Sequence, residues 1–344
     1  MIISRTPFRI SFAGGGTDLR SFYAEEPGQV LSVSIDKYIY VVVKRQIGIV
    51  EYKYRINWSR VEFCNKIEDI EHPIVREALK MMEIDFPIEV TTFSDIPGST
   101  GLGSSSSFTV GLLHALYALK GKMVTKHKLA TNAAHIEVNC LKRIMGKQDH
   151  FAASYGGINT FTFNEDETVV VEPVFYREEV PLNLEKNLLL FYTRLKRDAS
   201  EILESQNRET PKKLDVLRQM KNLVIPLREI LSSGNDLNKI GEILHEGWEL
   251  KRSLTGDISS NKIDGYYQNA IKAGALGGKL LGAGGGGFLL LYVEPENQSK
   301  VIDALAELFC LDVKLDSAGT RITYYDQDRI DVKSSSVVLS QKQQ

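Results

Sequence analysis

The stretch PGSTGLGSSSSF, residues 97–108, decides how the rest of the chain reads. Proline and glycine breaks give way to four consecutive serines, Ser104 to Ser107. By composition this is a linker. Yet TVGLLHALYAL follows at once, with Phe108, Leu112, Ala115, Leu116 and Leu119 at helical spacing. Looseness against the start of a packed helix makes sense as an anion site. Glycines let successive N–H groups converge on one point. A helix starting near Ser104 adds its unpaired first-turn N–H groups and its dipole, which completes a phosphate cradle. Serine hydroxyls supply further donors and an oxygen ligand for Mg²⁺. An N-cap alone would need only one serine.

Two more glycine-rich segments, 14–16 and 282–287, lie far from the first. Each is flanked by regular structure, and three such loops point to one shared polar site. Familiar nucleotide motifs do not fit. In GALGGKLL, 274–281, Lys279 is followed by Leu280 where a Walker A loop needs Ser or Thr. GLGSSS lacks the third glycine of a dinucleotide fingerprint.

The 344 residues suffice for one large or two ordinary domains. A net charge of -2 gives no basic field for nucleic acid or an anionic membrane, so anion binding must be local. Cys64, Cys140 and Cys310 stand far apart, which disfavours a disulfide framework or a structural zinc. MIISRTPFRISFAGGG does not read as a signal peptide. No apolar run approaches the roughly 18 residues of a membrane span. The expectation is a cytoplasmic protein.

Phe8, Ile10 and Phe12 alternate with Arg9 and Ser11, a strand pattern over 2–12 that stops at GGGTD. Residues 30–45 and 86–95 read as further strands, and 126–145 as one helix. A hairpin is expected around NEDE, over 157–174. The polar segment 177–186, which contains Pro181, is the expected domain boundary. Residues 198–255 read as mostly helical, with Pro211 and Pro226 as breaks, and the tail 335–344 as disordered.

Within the expected 126–145 helix, Glu137 falls in a stripe formed by Ala130, Ala133, Ala134, Cys140 and Leu141. A carboxylate there is expected to be buried, and a buried charge needs a partner: a lysine or arginine, or a metal. Asp149 follows in GKQDHF, placed in a loop. HIE at 135–137 lacks the P-C-x-x-C half of a zinc deaminase. His135 and His150 read as ordinary polar residues.

In order, PFRISFAGGGTD, PGSTGLGSSSS and KLLGAGGGGF resemble the three motifs of the GHMP kinase superfamily, from about residue 5 to 325. The resemblance implies an α+β fold of two domains. The first, 1–185, would be ribosomal-protein-S5-domain-2-like and bind ATP; the second, 186–334, would be a ferredoxin-like α/β sandwich. FAGGGTDL, GKQDHFAASYGG and GALGGKLLGAGGGGF are most similar to bacterial kinases that phosphorylate the anomeric position of a heptose 7-phosphate. Fucose kinase domains are the alternative. Gly15 and Gly16 stand where galactokinases carry Glu and His, which argues against galactose.

The resemblance also implies roles. Pro97, Gly98, Gly101, Leu102, Gly103, Ser104, Ser105 and Ser106 would wrap the phosphates of ATP. Ser105 and Glu137 would hold Mg²⁺. Asp149 would take the proton from the sugar hydroxyl beside Arg9. Gly14, Gly15, Gly16, Thr17, Asp18, Lys147, Gly284 and Gly285 would meet the sugar. A phosphate on that sugar would draw on Lys147, Arg143, Lys37, Arg194 or Arg197. The partners implied are ATP and a small sugar or sugar phosphate, with no nucleic acid or membrane; a homodimer is compatible. A non-catalytic sensor is the reading from another class, and loss of Asp149, Glu137 or the serines would mark it; all are present.

Overall fold

The computed structural model describes residues 1–47, 49–195 and 199–326. Two antiparallel-dominated sheets organise it. The first holds β1 (Ile2–Ala13), β2 (Gly28–Arg45), β3 (Tyr54–Asn57), β4 (Val61–Cys64), β5 (Ile88–Ser94), β6 (Ile158–Phe163) and β7 (Val169–Pro173). The second holds β8 (Leu188–Tyr192), β9 (Gly277–Leu280), β10 (Phe288–Tyr292) and β11 (Phe309–Leu311). The last strand, β12 (Arg321–Tyr325), returns to the first sheet and pairs with β1.

β2 is the spine of the first sheet. β1 lies along one edge; β6 and β5 share the other, against Gly28–Val33 and Ile39–Arg45 respectively. Among the described residues only the β3–β5 pair is parallel. The second sheet has the order β11-β8-β10-β9. With helices between β8 and β9 and between β10 and β11, this is the ferredoxin-like arrangement.

Phe8, Ile10 and Phe12 are buried as their alternation predicts. Arg9 and Ser11 are buried too, because the opposite face of β1 is covered by the cleft and the Ser104–Leu119 helix. Ser107 Oγ donates to the Pro7 carbonyl (2.9 Å) and Ser4 Oγ to that of Gly111 (2.7 Å), tying this helix to β1.

Several expectations are corrected. The segment 177–186 is not a linker: Glu179–Asn187 is a helix, with Pro181 in its first turn where no N–H is missed. The boundary at 185/186 therefore falls inside a helix. Because β12 completes the first sheet, the range 186–334 is not one self-contained domain. Pro226 likewise sits near the start of the Val224–Ser233 helix and does not break it. The 126–145 helix stops early. Lys126–Ala134 is α-helical, His135–Cys140 loosens to a π-helix, and Lys142 at φ 55° lies outside helical geometry. The tail 335–344 lies outside the described residues.

Candidate active site

The cleft lies where the three glycine segments converge, a cavity of about 230 Å³. The helix carrying the serines begins at Ser104, with Gly103 as its N-cap at φ 80° and no side-chain cap. The serines are therefore not spent on capping, and the first-turn N–H groups face the cavity lined by Ser104, Ser105 and Ser106. Gly101 and Gly282 hold the middle and last loops in contact. A Cβ on Gly282 would stand 2.4 Å from the Gly101 Cα, and both residues have positive φ.

Asp149 does not sit in a loop; it lies in the first turn of the Gln148–Tyr155 helix. Arg9 grips it with two parallel bonds, Nε to Oδ1 at 2.6 Å and Nη2 to Oδ2 at 2.7 Å. Its remaining Nη1 donates to the Gly101 carbonyl at 2.8 Å, so one guanidinium joins the carboxylate to the phosphate loop. Gly103 leaves room for Asp149: a Cβ there would come within 3.1 Å of Oδ2.

Glu137 is fully buried, as its place in an apolar stripe predicts. Oε1 accepts from Thr109 Oγ1 (2.8 Å) and lies 3.1 Å from His150 Nε2. Oε2 accepts from Ser105 Oγ and from Arg143 Nη1 (2.5 Å). Burial alone would raise the Glu137 carboxyl. Its contacts with His150, Ser105 and Arg143 outweigh that and hold it down to about 2. His150 is thus a buried partner of this carboxylate rather than an ordinary polar residue. Of the two partners left open by the sequence, the structure has the arginine. Arg143 also donates to Ser105 Oγ at 2.8 Å, so its charge lies against both oxygens a cation would use. Among the described residues, no group of three or more His, Cys, Asp or Glu could hold a metal.

Asp18 is buried at the cavity edge. Oδ1 accepts from Gly16 N (3.0 Å) and Oδ2 from Gln148 N (3.3 Å). Burial, then the like charge of Asp149, pushes its carboxyl up against these hydrogen bonds. Gly15 and Gly16 line the cavity beside it.

The other expected site residues are placed differently. Thr17 is fully buried, and its hydroxyl bonds the Gly14 and Gln29 carbonyls, so it builds the loop instead of meeting a ligand. Gly14 packs against the Gln29 carbonyl. Leu102 is a core residue. Pro97 and Gly98 are exposed and do not line the cavity, and the Pro97 carbonyl accepts from Thr100 Oγ1. The third motif reaches the cavity through Gly282 and Ala283, while Gly284 and Gly285 pack against Ile258. Lys147 turns away to pair with Glu167, its ammonium 4.9 Å from the Tyr23 ring centre. Lys37 pairs with its neighbour Asp36. Arg197 lies outside the described residues.

Sequence reading missed Ser11, Gln148, Lys251 and Lys279, which line the cavity. Ser11 was legible as the neighbour of Arg9 on the cleft face of one strand. The two lysines carry no signal of burial in the sequence.

A glycine loop opening a buried helix, an Arg–Asp pair at its mouth and a ferredoxin-like second sheet together define a two-domain GHMP kinase. The chain belongs to that superfamily. Residues 73–157 match the GHMP kinases N terminal domain and 225–309 the GHMP kinases C terminal domain. It is 30% identical over 318 residues to the D-glycero-alpha-D-manno-heptose 7-phosphate kinase of Campylobacter jejuni, covering 88% of this chain and 93% of that protein. It is 26% identical over 348 residues to the bifunctional fucokinase/GDP-fucose pyrophosphorylase of Arabidopsis thaliana, covering 90% of this chain and 31% of that protein. A D-glycero-D-manno-heptose 1-phosphate kinase from Bacteroides thetaiotaomicron shares the fold, with a TM-score of 0.78 at 23% identity over 95% of this chain and all of that one. Among the described residues no helix is long and apolar enough to cross a membrane.

Proposed function

We propose that the chain transfers the γ-phosphoryl group of ATP to the anomeric hydroxyl of a sugar, with D-glycero-D-manno-heptose 7-phosphate as the leading acceptor. One observation carries the reading: the Arg9–Asp149 pair stands at the open N-terminus of the Ser104–Leu119 helix, in one cavity with Asp18. Phosphoryl transfer needs a placed hydroxyl, a proton acceptor and positive charge around the moving group. Asp149 accepts the proton of the sugar hydroxyl, and Arg9 holds that carboxylate in place through its two parallel hydrogen bonds. The loop 98–106 and the helix N-terminus receive the triphosphate. Asp18 accepts hydrogen bonds from the sugar.

Mg²⁺ fits this site. Ser105 Oγ and Glu137 Oε2 are hard oxygen donors already in contact, and the Arg143 guanidinium that donates to both would have to give way to the ion, its side chain being 37% exposed. When bound, the ion would neutralise charge on the phosphate oxygens. The site works in the cytoplasm, where ATP is available.

L-Fucose is the second acceptor reading, supported by the extent of the fucokinase match. ADP release measured with galactose, L-fucose and heptose 7-phosphate, with phosphorus NMR of the product, tests both. Heptose 7-phosphate should give the highest kcat/KM and a 1,7-bisphosphate. Preference for galactose would overturn the acceptor assignment, and absence of ADP release with every sugar would overturn the kinase.

A further inference from the structure

The cleft contains two cations to which the proposed mechanism gives no work. Lys251 comes from the last turn of the Lys239–Arg252 helix and Lys279 from β9. Both are buried, and both line the cavity with Arg9. Among the described residues their hydrogen bonds go to backbone carbonyls alone. Lys251 Nζ reaches Leu280 O (3.2 Å) and Gly282 O (2.5 Å), and Lys279 Nζ reaches Phe12 O (3.1 Å). An ammonium has three N–H donors, so Lys279 keeps two and Lys251 one. Among the described residues neither ammonium is hydrogen-bonded to a carboxylate, and Asp149 is held by Arg9.

A buried, unbalanced cation is costly. Burial, then repulsion from Arg9, lowers the Lys279 ammonium to about 8; burial, then repulsion from Lys279 and Arg9, lowers Lys251 well below the usual lysine range. The cavity wall has a second unmet demand. Ser11 Oγ and Ser106 Oγ are buried without a hydrogen-bond partner. Ser11 is next in sequence to Phe12, whose carbonyl holds Lys279. Spare positive charge and spare hydroxyl groups on one wall call for a ligand rich in anionic oxygen.

We infer that Lys279 and Lys251, with Ser11, form a phosphoryl-binding wall that takes the oxygens of a phosphate dianion in the cleft. This rests on reading the cleft as a phosphotransfer site, and it gives that site a second anion contact apart from the serine loop. The phosphate can come from the acceptor, as in a sugar phosphate, or be the γ-phosphoryl group itself.

The test is binding of inorganic phosphate to the full chain by calorimetry, for wild type, Lys279→Met, Lys251→Met and Lys279→Arg. Methionine keeps the shape and removes the charge, so the Met variants should melt no lower than wild type. Phosphate affinity should fall about 10- to 100-fold in each Met variant, the worth of a charge-assisted hydrogen bond, and recover in part with arginine. Kinetics then separate the sources. A higher KM for phosphorylated sugars alone assigns the wall to the acceptor's phosphate. A lower kcat with every acceptor, at unchanged KM for ATP, assigns it to the γ-phosphoryl group. Unchanged phosphate affinity in a Met variant that melts normally would overturn the inference even if the enzyme phosphorylates sugars. Lost phosphate affinity in the variants of a chain that phosphorylates none would leave the wall standing and remove the kinase.

Discussion

Gly146→Ala isolates the job of Asp18. A Cβ on Gly146 would lie 1.8 Å from Asp18 Oδ2 and 2.3 Å from Cγ. Gly146 does not have a positive φ, so the backbone accepts alanine and the methyl group is the whole perturbation. Against an ordinary contact of 3.4 Å, the carboxylate must retreat by about 1.6 Å. It cannot do so and keep its bonds to Gly16 N and Gln148 N. A misplacement of about 1 Å in a positioned group can cost on the order of 10²-fold. We therefore expect kcat/KM for the sugar to fall about 100-fold, roughly 3 kcal/mol of transition-state binding. KM for ATP should hold, because the serine loop is a separate element. The assay is steady-state ADP release with sugar and ATP varied in turn, for Gly146→Ala, Asp18→Ala and the double variant. If the clash acts only through Asp18, adding Gly146→Ala to Asp18→Ala should cost less than about 0.5 kcal/mol more. Sugar kinetics within threefold of wild type, or full additivity in the double variant, would refute the reasoning.

Asp149→Asn should lose most of kcat, by about 10²-fold or more, while calorimetry still detects ATP binding; near-normal turnover would remove Asp149 as the proton acceptor. Glu137→Gln and Ser105→Ala should each raise the Mg²⁺ concentration needed for half-maximal rate, read from metal titrations at fixed ATP, and an unshifted midpoint in both would count against that metal site. The raised carboxyl of Asp18 gives a signed pH dependence. The folded state holds that proton to higher pH than the unfolded state, so wild type should gain stability relative to Asp18→Asn as pH falls from neutral toward about 4. Parallel denaturant-unfolding profiles for the two proteins would contradict this.

The parts of the fold legible in the sequence were those with local causes. Alternation marked β1, helical spacing marked the helix after the serines, and an acid inside an apolar stripe marked Glu137 as buried. What stayed hidden depended on long-range packing. Arg9 and Ser11 read as the polar face of a strand, and only the covering helix and cleft show both to be buried. Thr17 sits in a ligand-like motif, but the neighbouring strand β2 claims its hydroxyl through Gln29. The π-helical turn carrying Glu137 has no distinctive residue pattern, so a plain helix was the natural extension. Lys251 belongs to a helix rich in charge, and its burial follows from the third glycine loop folding over it.

The return of β12 to β1 bears on how the protein is made. Ile2 pairs with Tyr325, so the strand that carries Arg9 is synthesised long before its outer neighbour. Until then its edge is an open template for another chain's backbone. Contacts spanning nearly the whole described chain also slow folding, since the ends must meet across everything between them. A premature stop just before Arg321 would leave every cleft residue named above intact in sequence. It would nevertheless release one side of the strand that aims the arginine, and activity lost to such a truncation would look like a catalytic defect while being a seam left unsewn.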